Sequence, residues 1–203
     1  MSQTKDYIKL HFIVWIWGFT AILGLLISIP SVEIVFYRTL LAFIGLGLLL
    51  YFRKRNFSLG SNQILKLLGT GLLIAAHWIL FFAAARVSTA SVCLAGMATC
   101  SLWTSFIEPV FNKRRINIIE VLLGLIAIVG LYVIFRFEFD HALGLTMAIA
   151  SAFLSALFTV INGKFIKKHN PFMITFYEMI GACVGTALFF PVYMTYFSDG
   201  VLD

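Results

Sequence analysis

Seven long apolar stretches, joined by short loops alternately rich and poor in lysine and arginine, leave few folds open to this chain. Each runs to roughly 20 residues, the length a helix rising about 1.5 Å per residue needs to cross about 30 Å of hydrocarbon. Of the 203 residues, 61% are hydrophobic and 12% charged, and the mean hydropathy is +0.99. An aqueous fold of that composition would expose apolar side chains over most of its surface, whereas lipid accepts them without penalty. The pattern predicts an all-α membrane protein with seven transmembrane helices over residues 8–29, 32–52, 64–85, 88–110, 118–135, 143–161 and 172–197.

Charge sets the expected orientation. Lys5, Lys9, Arg53, Lys54, Arg55, Lys66, Lys113, Arg114, Arg115, Lys164, Lys167 and Lys168 fall on one side, and Arg86 and Arg136 on the other. With Arg38 set aside as intramembrane, this asymmetry places the N-terminus in the cytoplasm and the C-terminus outside a bacterial-type plasma (inner) membrane. The net charge of +6 is therefore topological. Short juxtamembrane basic clusters without interleaved aromatics suit anionic lipid headgroups and give no nucleic-acid surface. The first stretch begins after Lys5 and Lys9 but runs about 22 residues without a small-x-small cleavage site, so it reads as a span and not as a signal peptide.

Polar residues at the helix starts read as caps. Ser31, Ser88 and Asn170 are candidate N-caps, Pro171 sits at a favoured first position, and Asn117 with Glu120 has capping-box spacing. Glu33 is a first-turn acid, and Glu108 is expected to pair at the interface with Lys113 or Arg114. Cys93, Cys100 and Cys183 lie inside apolar spans without metal-ligand spacing and are assigned to packing. Gly181 with Gly185, Gly69 with Gly71, and Ala90, Ala95 and Ala98 are assigned to close helix contact. No phosphate loop, nucleophile motif or metal pair competes, so no enzyme and no cofactor is expected. A retinal-type receptor would want a lysine in the middle of span 7, which has none.

Phe36-Tyr37-Arg38 with Ala42, Gly45 and Leu48 recurs 140 residues later as Phe176-Tyr177-Glu178 with Ala182, Gly185 and Leu188. Both stretches follow a proline, Pro30 and Pro171, and Phe19-Thr20 is echoed by Phe158-Thr159. Span 2 thus maps onto span 7, and an odd offset means that the two copies cross in opposite directions. Inverted repeats around a midplane site are a recurrent plan of secondary transporters.

Phe36-Tyr37-Arg38, the end of span 4 at Ser101-Leu102-Trp103-Thr104, the basic turn Lys113-Arg114-Arg115 and the run Gly124-Leu125-Ile126-Ala127-Ile128-Val129-Gly130 together resemble the EamA-type permeases of the drug/metabolite transporter superfamily. The resemblance implies ten helices in two inverted five-helix units. This sequence would hold one unit in residues 1–137 and the first two helices of the second in 138–203, with helices 8 to 10 missing. It departs from the family at Ser101, where many relatives have proline, and at Asn112-Lys113, where relatives often have Gly-Glu; a role for the family's turn glutamate does not carry over to Glu108. The function implied is movement of a small organic solute (a metabolite, amino acid or drug), as an exporter driven by a proton or ion gradient. The alternative is a truncated or degenerate membrane protein without transport of its own. It would act with a partner chain, as a homo-oligomer or with the missing helices restored.

The candidate substrate pathway consists of Arg38, Glu178, Tyr37, Tyr177, His77, Trp15, Trp17, Trp78 and Trp103. An ionisable group inside a span costs a few kcal/mol on insertion scales, so Arg38 and Glu178 should face a partner or a cavity. Their depths, counted from the span starts, differ by about 8 Å, too far for a direct ion pair without tilt or water. Arg38 also suits a helix-locking role, and Glu178 a proton-exchanging one. His77 lies near the depth of Arg38 and either lines the cavity or is a neutral histidine bonded within the bundle. The tryptophans lie away from the outermost turns and either face a cavity, where they would suit flat or cationic solutes, or fill space between helices.

Overall fold

The structure is a computed structural model that describes residues 4–54, 58–135 and 139–197. Arg55 and Arg136 of the charge pattern lie outside those residues. The described elements are α1 (Thr4–Leu26), α2 (Ser31–Phe52), α3 (Ser61–Val87), α4 (Ala90–Met97), α5 (Cys100–Asn112), α6 (Ile118–Phe135), a single 3-10 turn at Phe139–His141, α7 (Ala142–Phe165) and α8 (Pro171–Tyr196). With α4 and α5 taken as one rod, six are long and apolar enough to cross a membrane; α6 is apolar but shorter. The chain is a multi-pass, all-α membrane protein.

Span 4 is broken where no break was expected. The α-helix stops at Met97 and resumes at Cys100. The amides of Ala98 and Thr99 turn tightly onto Ala95 and Gly96, and the Thr99 hydroxyl donates to the Gly96 carbonyl at 2.7 Å. The break falls just before Ser101, and no proline lies within it. Local bonds keep its backbone polar groups satisfied, which the membrane interior demands.

Two expected caps move by one residue. Ser31 leaves the capping place to Pro30, and its hydroxyl is buried without a partner. Ser88 closes α3 by donating to the Ala84 carbonyl at 2.5 Å, while Thr89 caps α4 by accepting from the Val92 amide at 3.1 Å. Asn170 caps α8 as expected, accepting from Phe172 at 2.9 Å. Asn117 accepts from the Ile119 amide, and its own amide group donates to Glu120 at 3.1 Å. Arg114 bridges Glu108 at 3.1 Å and Glu120 at 3.3 Å. Lys113 instead takes the left-handed conformation that ends α5.

The core is built on α3. It packs most extensively against α7 and α8, while α2 lies along α8, and α7 also carries α4 and α5. His77 meets Ser151 and Gly144 meets Ser88, so α3 and α7 run antiparallel. Gly181 lies on Leu68 and Gly185 on Leu72, so α3 and α8 run parallel. Gly47 lies on Phe176 and Phe36 on Phe190, so α2 and α8 run antiparallel. These directions are the ones that alternate crossing requires.

The α3–α8 contact is a backbone-to-backbone approach. A β-carbon on Gly71 would collide with the Glu178 carbonyl, and one on Gly181 with the carbonyl of Leu68. Nothing lies near Gly69, so only Gly71 of that pair does the packing. By contrast, α1 buries only Ala21 and Gly24, against α3 and α4, and α6 leans mainly on α5.

Two cations counted for topology also close helix ends. Arg86 donates to the carbonyls of Ile27 and Ile29, fixing the turn between α1 and α2 onto α3. Lys164 donates to the Phe111 carbonyl at 2.6 Å and ties α7 to the last turn of α5. Gly181→Ala is expected to lower the melting temperature of the detergent-purified protein by an amount equivalent to about 1–3 kcal/mol of overpacking, since a backbone must move. Gly69→Ala, which meets nothing, is expected to leave it within error or raise it slightly.

Candidate functional site

Arg38 sits on α2 with its guanidinium carbon over the Trp78 ring of α3, 3.9 Å from the ring centroid. Phe82, one turn further along α3, lies 5.4 Å away. Arg38 is half-buried. Three ion pairs are formed among the described residues, and Arg38 is in none of them. No oxygen of the described residues accepts a hydrogen bond from its guanidinium.

His77 precedes Trp78 and therefore points to another side of α3, toward α7. Its Nδ1 lies 2.8 Å from the Ser151 hydroxyl and 2.9 Å from the Ser151 carbonyl. The Ser151 hydroxyl also bonds the His77 carbonyl at 2.9 Å. All three contacts are satisfied when Nδ1 carries the proton and the serine gives its own to the His77 carbonyl. The ring rests edge-on to Phe158 at 5.5 Å and is close enough to Arg38 to feel its charge. His77 is thus the bonded histidine of the bundle, in the same layer as Arg38.

Glu178 occupies a different layer. It is 3% exposed, held between α8 and the α3 approach at Gly71, with Asn162 of α7 as its hydrogen-bond partner. Its Oε1 and the Oδ1 of Asn162 are both buried without a donor. The register of α2 on α8 puts Arg38 roughly 10–15 Å from Glu178 along the helix axes, more than span depth alone indicates. No ion pair joins them.

The other sequence candidates scatter. Tyr37 is 50% exposed and sits against Phe36 at 5.5 Å. Tyr177 is half-buried against Phe176 at 5.2 Å, so the two copies of the repeat share one local ring arrangement. Trp103 stacks edge-on with Phe153 at 5.2 Å, and its buried Nε1 has no acceptor. Trp15 and Trp17 are 61% and 64% exposed on α1 and are not brought to Arg38. Sequence reading missed Phe82, Ser151 and Asn162, whose roles come only from neighbouring helices. Asn162, an amide inside an apolar span, carried the one usable signal.

A cavity of about 690 Å³ opens between α3, α7 and α8, with Leu72, Ala75, Ile79, Met147, Thr186 and Phe189 in its wall. That wall holds neither Arg38, His77, Trp78 nor Glu178, and it is almost wholly apolar. It can take an acyl chain or an apolar body but offers little to orient one. No group of three metal-ligating side chains gathers among the described residues. Ser151→Ala removes one donor and one acceptor from the His77 layer and is expected to cost about 1 kcal/mol of stability, measured as a lower melting temperature in detergent.

The family model of the EamA-like transporter family matches residues 7–136. An uncharacterized transporter of Bacillus subtilis, YxxF, is 23% identical over 159 residues, covering 74% of this chain and 51% of that protein. The chain therefore spans about half the length of this curated relative. No solved structure matches. Six long apolar helices and a match over more than half of the sequence agree: the chain belongs to the EamA-like transporter family.

Proposed function

We propose that the chain moves a small organic solute (a metabolite, an amino acid or a drug) out of the cell across a bacterial inner membrane, by secondary transport. One observation carries this reading. Two ionisable side chains, Arg38 and Glu178, are held within an apolar bundle at different levels, neither neutralised by the other. Groups so costly in hydrocarbon mark substrate and ion pathways in multi-pass proteins. Orientation follows the basic asymmetry, with the N-terminus cytoplasmic.

Two inverted units, 1–137 and 138–203, supply the symmetry that alternating access needs. Reciprocal packing supports the relation. Phe36 rests on Phe190 of α8, and its counterpart Phe176 rests on Gly47 of α2. A two-fold axis in the membrane plane would carry one contact onto the other to within about one helical turn.

Glu178 is the coupling group in this reading. A proton on its Oε1 would provide the donor that this pair of buried oxygens lacks. Lys66 of α3 and Lys164 of α7 are exposed, the latter bonded to the Phe111 carbonyl, and Arg38 of α2 lies a layer apart, so none of them pairs with the carboxyl. Liposomes carrying the protein, screened with radiolabelled amino acids and organic acids, are expected to show flux that an imposed proton gradient accelerates. Glu178→Gln, fixed in a form like the protonated one, should lose that acceleration by about tenfold or more while folding normally. Flux equally responsive in the variant would remove Glu178 from coupling.

A second reading has α1 in its favour: transport requires helices from a partner chain, and α1, with two buried residues, is the surface left for them. Flux from liposomes holding only this chain would reject it. Orientation has its own check. A phosphatase fused after Asp203 is expected to be active outside the cell and one fused after Arg55 inactive; the reverse pattern overturns the assignment.

A further inference from the structure

We propose that Arg38, stacked on Trp78, is the anchor for a carboxylate on the transported solute, which makes that solute an organic monoanion with a flat apolar body. The inference deepens the transport reading, and it needs that reading only for the fate of the bound molecule. Stacking is the starting point. A guanidinium that lies on a ring by its face keeps its five N–H donors free around its edge. Here the guanidinium carbon sits over the Trp78 ring, 3.9 Å from its centroid, while no described residue accepts from the N–H groups. Glu33, five residues back on the same helix, forms no ion pair with it. A planar fork of charged donors held beside Trp78 and lacking an acceptor among the described residues is matched in shape by a carboxylate.

Neighbouring groups narrow the ligand further. His77, in the same layer, has its Nδ1 held by Ser151 and adds no second full charge on the Arg38 side. Arg86 is committed to the carbonyls of Ile27 and Ile29. One cation therefore serves the layer, and one negative charge neutralises it; a dianionic phosphate monoester would keep an unpaired charge in low dielectric. Phe82, buried against α1, closes one side of the guanidinium, and the part of the half-buried Trp78 ring that Arg38 leaves uncovered is aromatic surface for an apolar body. A cationic solute is disfavoured on two counts, since the face of Trp78 is already covered by Arg38 and the guanidinium would repel a second cation.

Three ligands of one shape decide the matter without any variant: phenylacetate, its neutral amide phenylacetamide, and the cation phenethylamine. Radiolabelled phenylacetate is titrated onto the full chain in phosphatidylcholine nanodiscs, and the other two compete. Saturable binding of phenylacetate is expected, with the amide and the amine weaker by about tenfold or more, the worth of one charge-assisted hydrogen bond. Arg38→Gln should weaken phenylacetate by a similar factor and leave the amide unchanged, and Arg38→Lys should fall between. The proposal is overturned if the three ligands compete equally, if phenylacetate fails to bind up to its solubility, or if a folded Arg38→Gln binds it as before. Should Arg38→Gln not fold, the ligand comparison on the unaltered protein still decides. Equal affinity in nanodiscs containing phosphatidylglycerol is expected, and loss of binding there would assign Arg38 to a lipid phosphate and overturn the proposal. Because binding is read without flux, carboxylate-selective binding with no transport in liposomes would sink the transport reading alone, and transport without carboxylate preference would sink this inference alone.

Discussion

Everything else in the bundle depends on how closely α3 approaches α8. With Gly71 under the Glu178 carbonyl and Gly181 under that of Leu68, the two backbones are in contact. In lipid no difference in apolarity drives helices together, so packing of this kind carries much of the cohesion. It also fixes register. Once Leu68, Gly71 and Leu72 are set against Gly181, Glu178 and Gly185, the level of every other α3 side chain follows, including Trp78 under Arg38 and His77 against Ser151. The buried carboxyl belongs to the same contact, for the residue whose carbonyl meets Gly71 is Glu178 itself.

The spans were legible in the sequence because the bilayer imposes one length and one polarity on all of them, and the helix directions followed from their order. Contacts between helices were less so. Trp15 and Trp17 look like Trp78 and Trp103 in sequence, since an exposed position and one between helices accept the same ring, and only packing separates exposed α1 from the more buried α3 and α5. Ser88 and Thr89 are adjacent capping residues, and the choice between them is made by where α3 ends. The break at Ala98 and Thr99 lacks the proline or local glycine pair that usually announces one. It is held by short side-chain and backbone bonds that any sequence with a threonine could form. Of the site, Arg38, Glu178 and His77 stood out as ionisable residues within apolar spans and Asn162 as an amide among apolar neighbours, while the role of Ser151 emerged only with α7 laid beside α3.

Charge is arranged in layers through the bundle. At the cytoplasmic end of the proposed orientation Glu108, Arg114 and Glu120 form an exposed cluster, worth little as stability and much as a marker of the interface. Above it lies the Glu178–Asn162 pair, and above that the layer of Arg38, Trp78, His77 and Ser151 beside the break in span 4. In the transport reading proposed above, a carboxyl nearer one face and a cation nearer the other, with apolar surface between, would bind a proton and an anion at separate levels. The separation also keeps Arg38 from being neutralised by Glu178. An internal ion pair at this depth would satisfy both groups and leave nothing for a ligand.

The two matching stretches of α2 and α8 sharpen that point, because they agree where they pack on each other and differ in the charge of the residue that follows. Phe36 packs on Phe190 of α8 and Phe176 on Gly47 of α2, and Tyr37 and Tyr177 meet them edge-on with nearly the same ring angles, 71° and 73°. At the next position one copy has Arg38 and the other Glu178, the only exchange of charge in the motif. Gly45 and Gly185 match in sequence, yet Gly185 is covered by Leu72 of α3 while nothing approaches Gly45. The side of α2 that carries Gly45 therefore has room that its counterpart on α8 has given to α3. A scaffold kept equivalent with its charges made opposite is what a carrier would need if each half is to recognise a different species while both rock about the same axis.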